Sequence, residues 1–164
     1  MTTNLPSLSL PGQTNASKTI LWSGLVAGTL DAAAGVIVYF IFFGFNPLQV
    51  LQSIAEGIFG PSAFKGGFLT VLVGLVAHYI IAFVVAGIYF VAFPKIKVLK
   101  AAPVLSGLLY GAAIWAVMNL IVVPLSNIPP APFNAIVATI AIVWHMVLVG
   151  LPISLITYNF YKSK

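Results

Sequence analysis

The sequence lacks cysteine and arginine and contains very few acidic residues. Its 164 residues include two acidic and seven basic ones, and every basic residue is a lysine. The absence of cysteine excludes disulfides, thiolate metal ligands and cysteine nucleophiles. The absence of arginine disfavours a bidentate phosphate or carboxylate clamp, for which arginine is the usual residue. Since the chain also has no GxSxG, HExxH or P-loop motif, we expect no enzyme activity.

Charge of either sign is scarce. Charged residues make up 5% of the sequence and hydrophobic residues 61%, whereas soluble domains carry about 25% charged residues. A soluble globule of this composition would have almost no ionised groups on its surface, so a polytopic protein in contact with the lipid bilayer is predicted. The net charge of +5 comes from lysines in loops and at helix ends, which is typical of topology signals, and we expect no nucleic-acid partner.

Four apolar runs are long enough to cross a membrane as helices, which takes about 20 residues each. They predict spans at about 19–45, 67–93, 101–125 and 133–160. The runs lack the alternation of a transmembrane barrel, and their connections are short. The predicted fold class is therefore an all-α membrane protein, an antiparallel bundle of four transmembrane helices.

The lysines predict the orientation of this four-helix domain, residues 19–160. Six of them fall on one side of the predicted spans: Lys18, Lys95, Lys97, Lys100, Lys162 and Lys164. Lys65 falls on the other side. By the positive-inside rule both termini are cytoplasmic, with residues 1–18 as a flexible N-terminal tail and residues 161–164 as a C-terminal tail.

Two connections are predicted on the external side. NPLQVLQSIAEGIFG, residues 46–60, predicts a short amphipathic helix at 47–59 with Asn46 as its N-cap. Its polar face carries Gln49, Gln52 and Glu56. We expect this helix to lie in the membrane interface, and a lid or re-entrant element over the bundle is the alternative. PLSNIPPAPF, residues 124–133, is rich in proline and predicts a stiff turn.

Four polar residues lie inside the apolar spans: Asp31, His78, Asn119 and His145. A carboxylate at the centre of a membrane helix costs about 2.5–3.5 kcal/mol on insertion scales, so Asp31 requires an explanation. Asp31 lies about as many residues from the cytoplasmic start of its span as the two histidines lie from the external starts of theirs. This spacing predicts a similar depth in the membrane for all three. Asn119, which we count in the same buried polar centre, is expected nearer the external end, as an interhelical hydrogen bonder.

Small residues share the helix faces of Asp31 and the two histidines. This pattern, which includes a GxxxG pair, indicates that the three side chains face the bundle interior. The glycines predicted to pack against neighbouring helices are Gly24, Gly28, Gly35 and Gly74.

Three interpretations of Asp31, His78 and His145 are open. In the first, they form a buried polar centre that moves protons or a small solute. In the second, they only hold the helices together in a non-catalytic accessory or structural subunit. In the third, they bind haem or a divalent metal in a redox module, because two histidines and a carboxylate form a known iron ligand set. No cofactor is predicted under the first two.

Further features of the spans bear on these alternatives. Gly150 and Pro152 interrupt the fourth predicted helix, as in the broken helices of transport sites. Trp115 and Trp144 are expected to be packing residues. Because a chain of four spans exposes much apolar small-residue surface, we expect it to form a homo-oligomer or to join a larger membrane complex.

Short matches within residues 50–160 resemble a family of small bacterial membrane proteins. They are SIAEGIFGPSAFKGG (53–67), FPKIK (93–97), NLIVVPLSNIPP (119–130) and the late histidine, His145. In these stretches the chain is similar to the YagU-like inner-membrane family. The resemblance implies a multi-pass protein of the bacterial inner membrane, and it implies no activity or site.

Overall fold

The computed structural model describes residues 15–163, and all regular structure in that range is helical. In chain order the helices are α1 (Ala16–Phe43), α2 (Pro47–Phe59), α3 (Gly67–Ala92), α4 (Lys97–Ala101), α5 (Pro103–Val122) and α6 (Ala135–Lys162). A 3₁₀ helix, Gly60–Lys65, joins α2 to α3. Helices α1, α3, α5 and α6 are long and apolar enough to cross a membrane. The predicted all-α class, with four helices of spanning length, is confirmed.

Helix α1 begins earlier than predicted because Asn15 caps it. The Asn15 side-chain oxygen accepts a hydrogen bond of 2.8 Å from the backbone N–H of Lys18, which satisfies a donor that the first helical turn leaves free. The predicted tail at 1–18 therefore extends too far, since residues from Ala16 onward are helical. The rest of that tail, residues 1–14, lies outside the described residues.

The C-terminal tail is also shorter than predicted. Helix α6 runs to Lys162, two residues into the predicted tail at 161–164. The backbone N–H of Ser163 bonds to the carbonyl of Asn159 at 3.2 Å and closes the final turn. Lys164 lies outside the described residues.

Helices α1 and α3 pack through glycines of α1. A Cβ on Gly24 would lie 2.5 Å from Cδ1 of Phe83, and one on Gly28 would lie 3.0 Å from Cβ of Ala82. Glycine at these two positions permits the close approach, and a larger residue would require Phe83, Ala82 or Tyr79 to shift. Gly35 was predicted to pack against a neighbouring helix, and this prediction is wrong. A Cβ at this position would have no atom of the described residues within 4 Å, because α1 borders a cavity there.

Helices α5 and α6 meet backbone to backbone. A Cβ on Gly111 would overlap the carbonyl oxygen of His145, and one on Gly150 would overlap the carbonyl oxygen of Gly107. Gly107 and Gly111 form a second GxxxG pair, which the pattern around Asp31 gave no reason to single out. The contact fixes the backbone of His145 directly against α5.

Both helices of this pair contain a π-helical segment, Met118–Val122 in α5 and His145–Gly150 in α6. A proline, Pro124 or Pro152, follows each segment after one intervening residue. Proline has no backbone N–H, and its ring crowds the carbonyl four residues earlier, so the preceding turn cannot keep regular α-helical bonds. Such segments are frequent at functional sites. The one in α6 begins at a residue of the predicted polar centre.

The buried apolar core lies between the predicted polar centre and the end where α1 begins, α3 ends, α5 begins and α6 ends, called here the lysine end. The core residues are Ala27, Ala86, Tyr89, Phe93, Ile114, Val149 and Ile153. Within this layer the Tyr89 hydroxyl is hydrogen bonded to the hydroxyls of Ser106 and Ser154, at 2.9 and 2.7 Å. Packed side chains, with Tyr89 and Phe93 among the most buried, therefore form a layer on the lysine-end side of the predicted polar centre.

Candidate functional site

Asp31, His78 and His145 lie near the middle of α1, α3 and α6, and their side chains converge. His78 Nδ1 is 4.0 Å from Asp31 Oδ2, and His145 Nε2 is 3.7 Å from Asp31 Oδ1. Their side chains are 25%, 11% and 13% exposed for Asp31, His78 and His145 respectively. The structure thus brings these three residues together, and we call them the Asp–His cluster. Each imidazole faces a different oxygen of the same carboxylate.

A backbone carbonyl orients each imidazole from its far side. His78 Nε2 donates to the carbonyl of Gly28 at 2.8 Å, and His145 Nδ1 donates to the carbonyl of Ala141 at 2.7 Å. Because a carbonyl oxygen can only accept, these nitrogens carry the proton of a neutral imidazole. The two nitrogens that face Asp31 are therefore bare in the neutral rings.

A fourth side chain contacts the Asp–His cluster: that of Trp144, which was predicted to be a packing residue. Its indole N–H donates a 2.8 Å hydrogen bond to Oδ1 of Asp31, and its ring stacks on that of His145 at 5.3 Å between centroids. A carboxylate in apolar surroundings is costly without such a donor. The available signal was the adjacency of Trp144 to His145, which places both side chains at the same level of α6.

Replacing Trp144 with phenylalanine is expected to lower the free energy of unfolding by about 1–3 kcal/mol, because Asp31 loses a donor in apolar surroundings. Unfolding of the purified protein in mixed micelles measures the change. Trp115→Phe is the matched control, since the Trp115 indole makes no hydrogen bond within residues 15–163. An equal loss of stability in both variants would show that ring size, and not the indole N–H, matters at position 144.

Asn119 is not part of the cluster. Its side-chain N–H donates to the carbonyl of Trp115 at 3.0 Å, one turn earlier in the same helix. Within the described residues Asn119 therefore makes its side-chain hydrogen bond inside α5, and the predicted interhelical bond is not formed. The residue instead lines two cavities, one of which is also lined by the Asp–His cluster.

The polar face predicted for α2 is only partly exposed. Gln52 is buried, and its side-chain N–H groups donate to Thr70 Oγ1 at 3.2 Å and to the carbonyl of Gly67 at 3.3 Å. Conversely, the apolar side chains of Leu48 and Ile58 are 56% and 52% exposed. Helix α2 is thus held to α3 by hydrogen bonds as well as by apolar burial.

The start of α2 is capped as predicted, and the helix then approaches α3 closely. Asn46 and Gln49 form a capping box, with bonds of 3.0 and 2.9 Å between their side chains and backbone N–H groups. A Cβ on Gly74 of α3 would overlap the carbonyl oxygen of Leu51. This contact holds α2 directly against α3.

Two cavities adjoin the Asp–His cluster. One of about 130 Å³ lies beneath α2 and is lined by all three cluster residues with Leu51 and Ile54. The other, of about 220 Å³, is also lined by the three cluster residues and by Asn119. Since a water molecule needs about 10–15 Å³ of such space, each cavity has room for several.

A larger cavity of about 760 Å³, called here the vestibule, lies at the end formed by α2 and the 124–133 segment. Glu56 lines it, together with aromatic side chains and three prolines of that segment. Tyr39, Asn119 and Val123 border both the vestibule and the 220 Å³ cavity. Solvent space at this end therefore extends to within one layer of side chains of the cluster.

The 124–133 segment docks on α2. The backbone N–H of Asn127 donates to the carbonyl of Gly57 at 3.1 Å, and its side-chain N–H donates to the carbonyl of Ile58 at 2.8 Å. The sequence pattern predicted a stiff turn here, and the structure adds that this turn forms one wall of the vestibule.

Within residues 15–163, no group of three or more His, Cys, Asp or Glu side chains is arranged to hold a metal ion. Haem or metal binding remains an alternative prediction from the sequence.

Comparison with known proteins identifies no relative: no family model, curated protein or solved structure matches the chain. The similarity to the YagU-like family therefore stays a prediction. What the chain does must be inferred from the site itself.

Proposed function

We propose that this integral membrane protein moves protons through the Asp–His cluster. One observation carries the proposal: the carboxylate of Asp31 lies between two imidazole nitrogens that are both bare in the neutral rings. Lone pairs therefore face each other across both gaps. A proton that enters either gap is attracted by both sides of it.

The cluster can bind one or two protons without turning a ring. One proton makes an O–H···N or N–H···O bond between Asp31 and a single histidine, and a second does the same on the other side. The present gaps of 3.7 and 4.0 Å exceed hydrogen-bond length, so proton binding would draw the groups together. Chains of intramembrane Asp and His residues of this type act as proton relays.

Access to the cluster is unequal from the two ends. Cavities with room for water adjoin it and share lining residues with the vestibule, whereas the buried layer containing Tyr89 and Phe93 lies between it and the lysine end. Proton release at the lysine end therefore requires that layer to open. The π-helical segment at His145–Gly150 is the element of α6 best suited to such a change, since its backbone bonds are not those of a regular α-helix.

The proposal includes an antiparallel four-helix bundle with both termini in the cytoplasm of a bacterial inner membrane. The antiparallel arrangement is supported by the pairing of Gly24 with Phe83 and of Gly28 with Ala82, in which numbers rise on α1 as they fall on α3. The orientation is supported by the six lysines of the lysine end and tails. The vestibule then opens to the periplasmic side.

Proton flux into liposomes tests the proposal. Purified protein is reconstituted with an internal pH-sensitive dye, and a potassium diffusion potential drives protons inward. We expect wild-type flux well above that of protein-free liposomes, and Asp31→Asn flux equal to theirs. Asparagine retains an oxygen acceptor for Trp144 but cannot exchange a proton at neutral pH.

Two controls separate proton transfer from a structural role. Asp31→Glu, which keeps a titratable carboxyl, should retain part of the flux, and Lys65→Gln should retain all of it. Wild-type flux no higher than that of empty liposomes would overturn the proposal and favour the accessory-subunit interpretation. A Soret band or a stoichiometric metal in the purified protein would favour the redox-module interpretation.

A further inference from the structure

The vestibule is walled by a continuous group of aromatic rings. Tyr39 contacts Phe43 and Phe45 with ring centroids 5.2 and 6.1 Å apart, and Phe45 contacts Phe64 at 5.7 Å. All four line the same cavity of about 760 Å³. These rings come from α1, the α1–α2 connection and the 3₁₀ helix, so folding alone brings them together. We call them the aromatic wall.

A single carboxylate faces this wall. Glu56 of α2 lines the vestibule, and within the described residues its side chain has no hydrogen bond or ion pair. No lysine among residues 15–163 lines the cavity, although the chain carries a net charge of +5. The electrostatic character of the vestibule is therefore set by one negative charge, which favours a cation and disfavours an anion.

We infer that the vestibule binds a quaternary ammonium cation. Aromatic rings attract such cations through their negative faces, and a nearby carboxylate adds a full opposite charge. The cavity falls within the 300–1,000 Å³ range typical of small-molecule sites. An inorganic cation such as Ca²⁺ needs six to eight oxygen ligands, whereas most of this wall is aromatic ring and proline.

Binding of choline, as the probe, tests this inference. Radiolabelled choline is equilibrated by dialysis with the full-length protein in maltoside micelles, whose headgroup carries no ammonium. The competitor 3,3-dimethylbutan-1-ol has the same shape, with a carbon in place of the charged nitrogen. We expect unlabelled choline to displace the label and the neutral competitor to bind at least about tenfold more weakly. The neutral competitor has neither cation–π attraction to the aromatic rings nor Coulomb attraction to Glu56.

Variants then locate the site. Glu56→Gln should weaken choline binding about tenfold, since the counter-charge is lost, and Phe45→Leu should weaken it as well. Lys65→Gln is the matched charge-removal control outside the cavity and should bind choline at least as well as wild type. The wild-type comparison of the two competitors needs no variant, so it tests the inference even if Glu56→Gln fails to fold.

Equal displacement by choline and its neutral analogue would overturn the inference, as would full binding by Glu56→Gln. Failure here is distinct from failure of proton transfer, because flux is measured in the absence of choline. Asp31→Asn, expected to lose flux, should keep choline binding. A protein that conducts protons but ignores choline would retain the first proposal and lose the second.

Discussion

Replacing Gly111 with alanine is expected to force α5 away from α6 and to lower the free energy of unfolding by about 3 kcal/mol. The added Cβ would overlap the carbonyl oxygen of His145 and lie 2.5 Å from Cα of Met146. Both are backbone atoms, so no side-chain rotation can relieve the overlap. The neighbouring Gly150 has the same constraint from the opposite helix, where Gly107 and Gly111 leave no room for a Cβ.

The matched control is Gly87→Ala, whose Cβ would meet only Ile20 Cγ2 at 3.9 Å among the described residues. That substitution should leave stability unchanged or raise it by about 0.5–1 kcal/mol, because alanine is the better helix former. Unfolding in mixed micelles, followed by helix content, gives both values. If Gly111→Ala were as stable as Gly87→Ala, the backbones of α5 and α6 could not be in close contact at Gly111.

The same substitution connects the fold to the proposed site. His145 supplies both the backbone oxygen against Gly111 and the imidazole that faces Asp31. Displacing α6 would therefore widen the 3.7 Å gap, and proton flux should fall together with stability. A variant that lost stability but conducted normally would separate the helix contact from the cluster.

The spans could be predicted because the physical cause is local. An apolar run of sufficient length has one stable arrangement in lipid, so hydropathy predicts the helix whatever its neighbours are. Helix ends were less accurate, since they depend on single caps such as Asn15. The π-helical segments follow from Pro124 and Pro152, yet where each begins depends on contacts between helices.

The cluster was accessible to sequence reasoning because Asp31, His78 and His145 are unusual in apolar helices and lie at similar depth. Trp144 was not, because tryptophan is common in such helices and its hydrogen bond depends on rotation of α6 about its axis. The burial of Gln52 and its hydrogen bond to Thr70 could not be predicted either. A polar residue on an amphipathic helix is expected to face water, and only the position of Thr70 makes its burial favourable.

Replacing Gly74 with alanine is expected to lift α2 off α3 and to open the space beside the cluster to water. The added Cβ would overlap the carbonyl oxygen of Leu51 and approach the backbone nitrogen of Ala55. Because the chain contains no cysteine, an added Ile54→Cys substitution reports access to the cavity beneath α2. Its reaction with a water-soluble maleimide should accelerate about tenfold, since overpacking costs about 1–3 kcal/mol.

Two control variants accompany the labelling of Ile54→Cys. Leu48→Cys, on the exposed side of α2, should react equally fast with or without Gly74→Ala, because that side is already open. Gly87→Ala should change neither rate. If labelling of Ile54→Cys were unaffected by Gly74→Ala, α2 would not be a lid held by this contact. If it accelerated while proton flux into liposomes also rose, closure of α2 over the Asp–His cluster would be the step that limits entry of protons from the vestibule.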